Sequence, residues 1–345
     1  MAHEISILND GTAEAAYALK GAWHGLGTVL DTVPDSETML KAANLDWEVD
    51  LIDLHGTVKG GREDGRTIAS TQKMVVRTDN YTELGIVGDN YGVVQNREAF
   101  SFLDSLFQDG IMRYESAMAL RGGRVIAVLA RMPSVVDEIA DGDTCARYCL
   151  FQTSHDGSMN LRAIPTSVRV VCMNTLRMAI SASGNIEGVR HIGDMGKKLD
   201  YLRKYLSQFD AKFTLFRDKA RQLATAKIDA SNSSHADAVR KYIDTLFPPV
   251  EVKPGEPSRA KTIRDGKVAA IRRNYRNERQ MLPSIRNSWW SLVNSVTELV
   301  DHGDEMVFKG KGRERDENKF MNVVTGDGAA FKSKAFDLAC EAVGV

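Results

Sequence analysis

Eight arginines are the side chains whose type and spacing suggest a shared task. Arg169 and Arg177 lie eight positions apart, about 12 Å along a helix axis at 1.5 Å per residue. Over that reach two guanidinium forks can hold separate phosphates of one strand. Arg162 precedes them, Arg121 and Arg124 flank Gly122-Gly123, and Arg272, Arg273 and Arg276 crowd a second basic stretch. Tyr114, Tyr148 and Phe151 are the candidates to stack bases beside them. Each also has a plainer reading, the aromatics as core and Arg169 as the buried partner of Glu98, Asp104 or Glu115. The chemistry pointed to is recognition of a polyanion by phosphate contacts.

Other constellations are weaker. Cys145, Cys149, His155 and Cys172 supply three soft ligands and an imidazole, the number a tetrahedral zinc site needs. Cys145 and Cys149, however, run in phase with Arg147 and Phe151 along a strand, the pattern of buried cysteines. Glu298 and His302, one helical turn apart, read as a pair or cap before a metal site. His155-Asp156-Gly157 reads as a turn. The sequence contains no phosphate-binding loop, nucleophile elbow or paired-carboxylate pattern. No helix follows Gly122-Gly123, so it is not a dinucleotide fingerprint. The expectation is a protein that is not an enzyme and holds neither cofactor nor metal.

The elements that must position the arginines centre on Tyr91 to Ile180. Phe100, Leu103 and Phe107 recur at helical spacing over 96–108, with Gly110 as a stop. Strand-like runs follow at 111–120, 124–132, 145–153 and 158–164. Gly122-Gly123 and Asp156-Gly157 mark hairpins. Pro165, then Thr166 or Ser167, reads as the cap of a helix over 166–182, with Val168, Val171, Cys172, Thr175, Leu176 and Ala179 as its apolar stripe. Arg169 and Arg177 then share another face of that helix.

Around this centre, residues 1–44 read as an extended arm carrying Trp23-His24-Gly25-Leu26-Gly27, followed by a short helix from Ser36 to Ala43. Strands are expected at 47–58 and 67–77, with a short piece near Ile86-Val87. The period turns helical from Val189 to Leu223, through Tyr201, Tyr205, Phe209, Phe213 and Phe216, and again from His235 to Leu246. The expected organisation is an α+β core over 45–185, a helical hairpin over 186–247, and a Pro-rich linker at 248–258. A basic helix, a Trp289-Trp290 helix and a C-terminal helix from Phe331 fill 259–345, with a glycine-rich loop at 303–328. The fold class is α+β, an antiparallel meander packed on helices and followed by a mainly helical region.

Charge is unevenly spread. The net charge is −1, yet residues 1–60 hold ten acids against Lys20, Lys41 and Lys59, and residues 259–286 hold nine Lys/Arg against Asp265 and Glu278. Such asymmetry suits a polyanion or an acidic face meeting a basic one between subunits. No apolar run nears the roughly 18 residues of a membrane span. The first residues lack the pattern of a secretory signal, and four cysteines without a framework fit a reducing cytoplasm.

Five segments carry a resemblance. Trp23-His24-Gly25-Leu26-Gly27, Tyr91-Gly92-Val93-Val94-Gln95-Asn96-Arg97-Glu98-Ala99-Phe100, Ser154-His155-Asp156-Gly157-Ser158, Val168 to Leu176, and Asn294 to His302 occur in one order. In this the chain resembles the phage/plasmid-like proteins built on a domain of unknown function common in bacteriophages and mobile elements. The resemblance implies a phage- or plasmid-borne cytoplasmic protein of a bacterial cell and brings no catalytic residues. In architecture alone, a meander followed by a packed helix and a basic extension is similar to single-strand annealing proteins.

Together these readings predict a single-stranded DNA-binding homo-oligomer with Arg121, Arg124, Arg162, Arg169, Arg177, Arg272, Arg273 and Arg276 on the strand. An oligomer that touches no nucleic acid is the alternative, and a metal-dependent enzyme the remote one. The long helix carries more aromatic surface than the short helix after it can cover, which argues for the oligomer.

Overall fold

The computed structural model describes residues 5–19, 26–107, 112–169, 175–177, 188–189, 209–252, 258–278, 281–303, 306 and 326–345. Its strands are tied by turns whose chemistry was visible in the sequence. Arg121, Gly122 and Gly123 take φ of 58°, 67° and 88°, and the chain reverses there from β6 (Arg113–Leu120) into β7 (Val125–Ala140). Gly142, φ 71°, turns β7 into β8 (Asp143–Ser154), and Asp156-Gly157 turns β8 toward β9 (Leu161–Arg169). β10 (Thr175–Arg177) and β11 (Gly188–Val189) both pair with β9.

The far edge of this sheet belongs to the N-terminal segment. β1 (Ala15–Ala18) runs antiparallel to β6, and β2 (Thr28–Leu30) runs parallel to β1. The expected arm is thus partly a strand of the main sheet. Residues 20–25, with most of the Trp23 motif, lie outside the described residues. A second antiparallel sheet joins β3 (Val49–Thr57), β4 (Thr67–Arg77) and β5 (Glu83–Gly88) in that order.

The described helices are α1 (Ser36–Ala42), α2 (Asn96–Phe107), α3 (Phe209–Thr225), α4 (Ser233–Leu246), α5 (Arg259–Tyr275), α6 (Trp289–Asp301) and α7 (Asp327–Val343). The protein is a mixed α+β fold, an antiparallel meander with a mainly helical C-terminal region. One core holds Ile126, Val128, Cys145, Cys149, Phe151 and Leu161 of the main sheet. The same core takes in Phe100 of α2, Phe209 and Phe213 of α3, Trp290 of α6 and Phe336 of α7. This is the helix-covered face. On the other face, Tyr17, Met118, Leu120, Ala127, Leu150 and Ile164 gather with Ile5 and Ala13, and Ala146, Tyr148 and Val168 form a small cluster.

The expected helix over 166–182 is corrected by the structure. Thr166–Arg169 ends β9, and Thr175–Arg177 is β10; residues 170–174 and 178–187 lie outside the described residues. The physical reason is in the side chains. Ile164, Thr166 and Val168 alternate onto one buried face, and β-branched residues fit that pleated surface. Pro165 looked like a helix start, but its strand neighbour is Cys149. Pro165 falls on the outer edge of β9 between Leu161-Arg162, which pair with β11, and Thr166–Val168, which pair with β10. A residue with no N–H is tolerated at such a gap.

The helical layer is anchored to the sheet by polar side chains. Arg147 on β8 donates from Nε and Nη2 to both oxygens of Asp137, each at 2.7 Å, and from Nη1 to Asp210 at the start of α3 at 2.6 Å. Its guanidinium lies 5.1 Å from the ring centre of Phe213. Trp290 donates Nε1–H to Asp143 at 2.7 Å. α6 is buried along nearly its whole length, so its polar side chains turn inward: Ser291 and Ser295 donate to carbonyls one turn back, each at 2.7 Å. Phe209, Phe213 and Phe216, the surplus aromatic surface expected to need a partner subunit, are buried within this chain, Phe216 against Trp290 and Phe336. Tyr201 and Tyr205 lie outside the described residues.

The small sheet presses onto the β8–β9 turn at Gly85. A Cβ there would stand 2.7 Å from Asp156 Cβ and 2.8 Å from its Cα. Backbone cannot yield as a flexible side chain does. Gly85→Ala is therefore expected to cost about 1–3 kcal/mol through overpacking, read as a lowered urea midpoint. Gly88→Ala, at which a Cβ meets nothing within 4 Å, is the control.

Candidate nucleic-acid interface

Strand register decides where each candidate arginine goes, because directly opposed residues project to the same side. Arg177 pairs with Thr166, Thr166 with Tyr148, Tyr148 with Arg131 and Arg131 with Arg113. Thr166, Tyr148, Arg131 and Arg113 form one row across β9, β8, β7 and β6, on the face away from the described helices. Arg162 lies on the same face in the row of Gln152, Ala127, Met118 and Ala15. It is four positions from Thr166, about 13 Å along a strand. Arg169 pairs with Cys145, whose side chain is in the helix-side core. The helix-borne pair Arg169 and Arg177 is thus corrected: both are strand residues, Arg169 opposite Cys145 on β8 and Arg177 opposite Thr166 on β9.

The other candidates are dispersed. Arg162 is half-buried; it donates from Nε to Gln152 Oε1 at 3.2 Å and from Nη2 to Met159 Sδ at 3.6 Å. Arg124 is exposed while its carbonyl accepts from His155 N at 2.8 Å. The hairpin tip at Arg121 does not stand free: Gly123 N donates to Ser6 Oγ at 3.0 Å, and a Cβ on Gly123 would lie 3.3 Å from Trp47. Arg272, Arg273 and Arg276 are exposed at the C-terminal end of α5, where cations also complement the helix dipole. α5 packs on α6 in the helical layer, so these three are on another side of the molecule from Arg162. Tyr114, Tyr148 and Phe151 are buried and offer no ring face for stacking.

Register also brings in two arginines that sequence reading passed over, and Glu115, which it had weighed as a partner of Arg169. Arg113 and Arg131 are opposed on β6 and β7, although like charges directly opposite each other are unfavourable. Both side chains are part-exposed, but Nε of each is buried without a hydrogen-bond partner. Glu115 lies close enough to feel both charges. Burial pushes its carboxyl above the usual range, against the pull of Arg131 and Arg113. The Arg131 guanidinium sits 6.0 Å from the ring centre of Tyr148, and the Tyr148 hydroxyl is raised by burial and by the Glu115 charge. With Glu115 ionised the group still carries a net positive charge.

A β-bulge causes this meeting. From Leu120 opposite Val125 down to Ser116 opposite Leu129 the hairpin is regular; then the register slips, and Tyr114 opposes Ala130. Without the slip Arg113 would face Met132 on the helix side, and Tyr114 would oppose Arg131 on the outer face. A one-residue bulge re-aims every later side chain. Alternation in the two strand runs was a signal for Arg113 and Glu115 facing one way; nothing in the residue types located the bulge.

Cys145 and Cys149 are buried on β8, and burial holds the Cys149 thiol well above its usual range. Cys172 lies outside the described residues. His155 is buried, its Nε2 3.0 Å from Asn96 Oδ1 and its ring edge-on to Trp47 at 5.4 Å between centres. Among the described residues no three His, Cys, Asp or Glu side chains cluster as metal ligands.

Two of the recognisable segments meet at that histidine. Asn96 donates Nδ2–H to the carbonyls of Leu45 (2.9 Å) and Trp47 (3.4 Å). Gln95 brackets Val49, accepting from its N–H and donating to its carbonyl, both at 2.9 Å. The Tyr91 hydroxyl donates to Ser154 O at 2.9 Å. Tyr91–Phe100 and Ser154–Ser158 are thus the joint of the small sheet, α2 and the main sheet.

The chain was compared with protein families, curated proteins and solved structures; no curated protein and no solved structure matches it. A family described as a domain of unknown function, DUF932, matches residues 83–324. That span takes in the meander, the α2 joint, the arginine row and α6, and the chain belongs to the DUF932 family.

Proposed function

We propose that the protein binds single-stranded DNA, as a phage- or plasmid-borne annealing-type protein acting in recombination or replication in the bacterial cytoplasm. The observation that carries this reading is the sheet face away from the described helices, where three strands contribute Arg113, Arg131 and Arg162. Phosphate contacts of this kind hold a strand without reading its sequence. No recognition helix or zinc finger is among the sequence motifs, which favours a single strand over a duplex.

Retention of oligothymidine measured from low to high salt tests it. Each phosphate contact on a single strand contributes about 0.7 to the log–log salt slope. Arg162→Ala should therefore flatten the slope by about 0.7, whereas Arg97→Ala, exposed on α2, should leave it unchanged. The triple change Arg272→Ala, Arg273→Ala and Arg276→Ala should also leave it unchanged. Wild-type protein that retains no oligonucleotide at low ionic strength would remove the reading.

An assembly of identical subunits without nucleic acid is the second reading, favoured by one feature. Ile52, Met74 and Ile86 are opposed across the small sheet, and Ile52 and Ile86 are 39% and 51% exposed. The acidic N-terminal sequence around that row complements the basic residues 259–286 of a second copy. Light scattering of wild type and of Ile52→Asp/Ile86→Asp at equal concentration decides it; a wild-type mass of 38.1 kDa at every concentration counts against assembly.

A further inference from the structure

We infer that Arg113, Arg131 and Glu115 form a clasp for one phosphoryl oxyanion, with Tyr148 as its floor. The inference rests on the nucleic-acid reading for its source of phosphate, and names one point on that face where a phosphate is seated.

Two observations converge on the same few atoms. The bulge on β6 opposes two guanidinium groups that a regular hairpin would send to opposite faces. Nε of Arg113 and Nε of Arg131 are both buried and both lack an acceptor. Arginine presents Nε–H and Nη–H as one planar fork, which two oxygens of a phosphate fill together. A tetrahedral oxyanion between the two strands would supply acceptors to both forks and offset the repulsion between the paired cations.

The surroundings select for such a guest. Tyr148 is buried beneath the Arg131 guanidinium, so the floor is a ring that cannot hydrate an ion in place of the ligand. Glu115 is the acid that acts on both arginines, and burial already disfavours its charge. One carboxylate against two guanidiniums leaves the clasp short of negative charge. A bound phosphate makes up that deficit, and Glu115 competes with it. Glu115 is therefore the residue that sets affinity from the opposite direction.

The test uses the full-length chain and titrates inorganic phosphate, then oligothymidine with and without a 5′-phosphate. Loss of one charged, bidentate contact is expected to weaken phosphate binding about tenfold or more in Arg113→Gln and in Arg131→Gln. Arg131→Lys keeps the charge without the fork, so it should fall between wild type and Arg131→Gln and serves if the glutamine variant does not fold. Glu115→Gln should tighten binding, which removal of a merely structural ion pair would not do. Phosphate binding lost in the arginine variants, with oligonucleotide affinity falling in parallel, supports both the clasp and the nucleic-acid reading. Phosphate binding lost in those variants while the wild type retains no oligonucleotide supports the clasp, with a free phosphate compound as its source, and overturns the nucleic-acid reading. Dependence on the 5′-phosphate assigns the clasp to a strand end. Salt-dependent oligonucleotide binding that all four variants leave unchanged, with no binding of inorganic phosphate, overturns the clasp alone.

Discussion

Asn96→Leu is expected to destabilise the protein by about 3–5 kcal/mol, among the larger costs a single substitution exacts. The leucine fills much of the volume and restores none of the polar contacts. The carbonyls of Leu45 and Trp47 lose their donor, and His155 Nε2 loses the carbonyl oxygen 3.0 Å away. All this happens where water cannot substitute, since Asn96 and His155 are both buried. Partnerless buried groups cost about 1–3 kcal/mol each. Arg97→Ala, one position on and exposed, should change stability by no more than about 0.5 kcal/mol. Urea midpoints of the two variants check the pair. A cost below about 1 kcal/mol for Asn96→Leu would mean that the joint is not what these residues serve.

That expectation bears on what the recognisable segments say about function. The run Tyr91–Phe100 and the run Ser154–Ser158 invite a search for catalysis, because they bring histidine, asparagine, aspartate and tyrosine together. In three dimensions their polar atoms close on one another and on backbone. Gln95 serves Val49 as a strand neighbour would, Tyr91 reaches Ser154, and Asp156 meets Gly85. The same logic holds beside it: Glu14 is buried, accepting from Arg77 at 2.8 Å and Trp47 at 3.1 Å, with the Arg77 guanidinium 4.2 Å from the Trp47 ring centre. Burial pushes the Glu14 carboxyl up against the pull of Arg77. These side chains are occupied with holding two sheets and the N-terminal segment together.

Legibility in the sequence followed how local the determining physics is. Turns set by glycine and by Asp-Gly were readable, so β6, β7 and β8 lie near their expected places. The Ser288 cap, whose Oγ accepts from Ser291 N, marks the start of α6 where the Trp289-Trp290 run suggested it. The segment from Pro165 misled because Pro-Thr-Ser begins helices and also ends strands; the choice was made by β9 finding β8 beside it, a contact between distant residues. The candidate site suffered most from the same cause. Arg169 and Arg177 were paired by helical arithmetic, and the fold puts them on two different strands, β9 and β10. Arg113 and Arg131 were invisible as a pair, since the one-residue slip opposite Ala130 that joins them depends on how a whole hairpin packs.

The largest effect in the helical layer should come from Asp301. Its carboxylate, on the last turn of α6, accepts from the Lys332 ammonium of α7, and the Lys332 side chain is 0% exposed. Burial lowers the lysine below its usual range, outweighing the attraction of Asp301. In Asp301→Ala the ammonium is left in a dry interior without its carboxylate, and breaking such a pair from one side costs about 3–5 kcal/mol. Lys332→Met leaves the Asp301 carboxylate, itself only 3% exposed, without that ammonium and should cost a similar amount. The double change Asp301→Leu/Lys332→Met removes both desolvation costs at once and should come within about 1 kcal/mol of wild type or exceed it. A thermodynamic cycle of the four proteins in urea reads the coupling directly. If the double variant falls as far as the sum of the single ones, the ion pair is not what ties α7 to α6, and the apolar contact of Phe336 with Trp290 carries that junction instead.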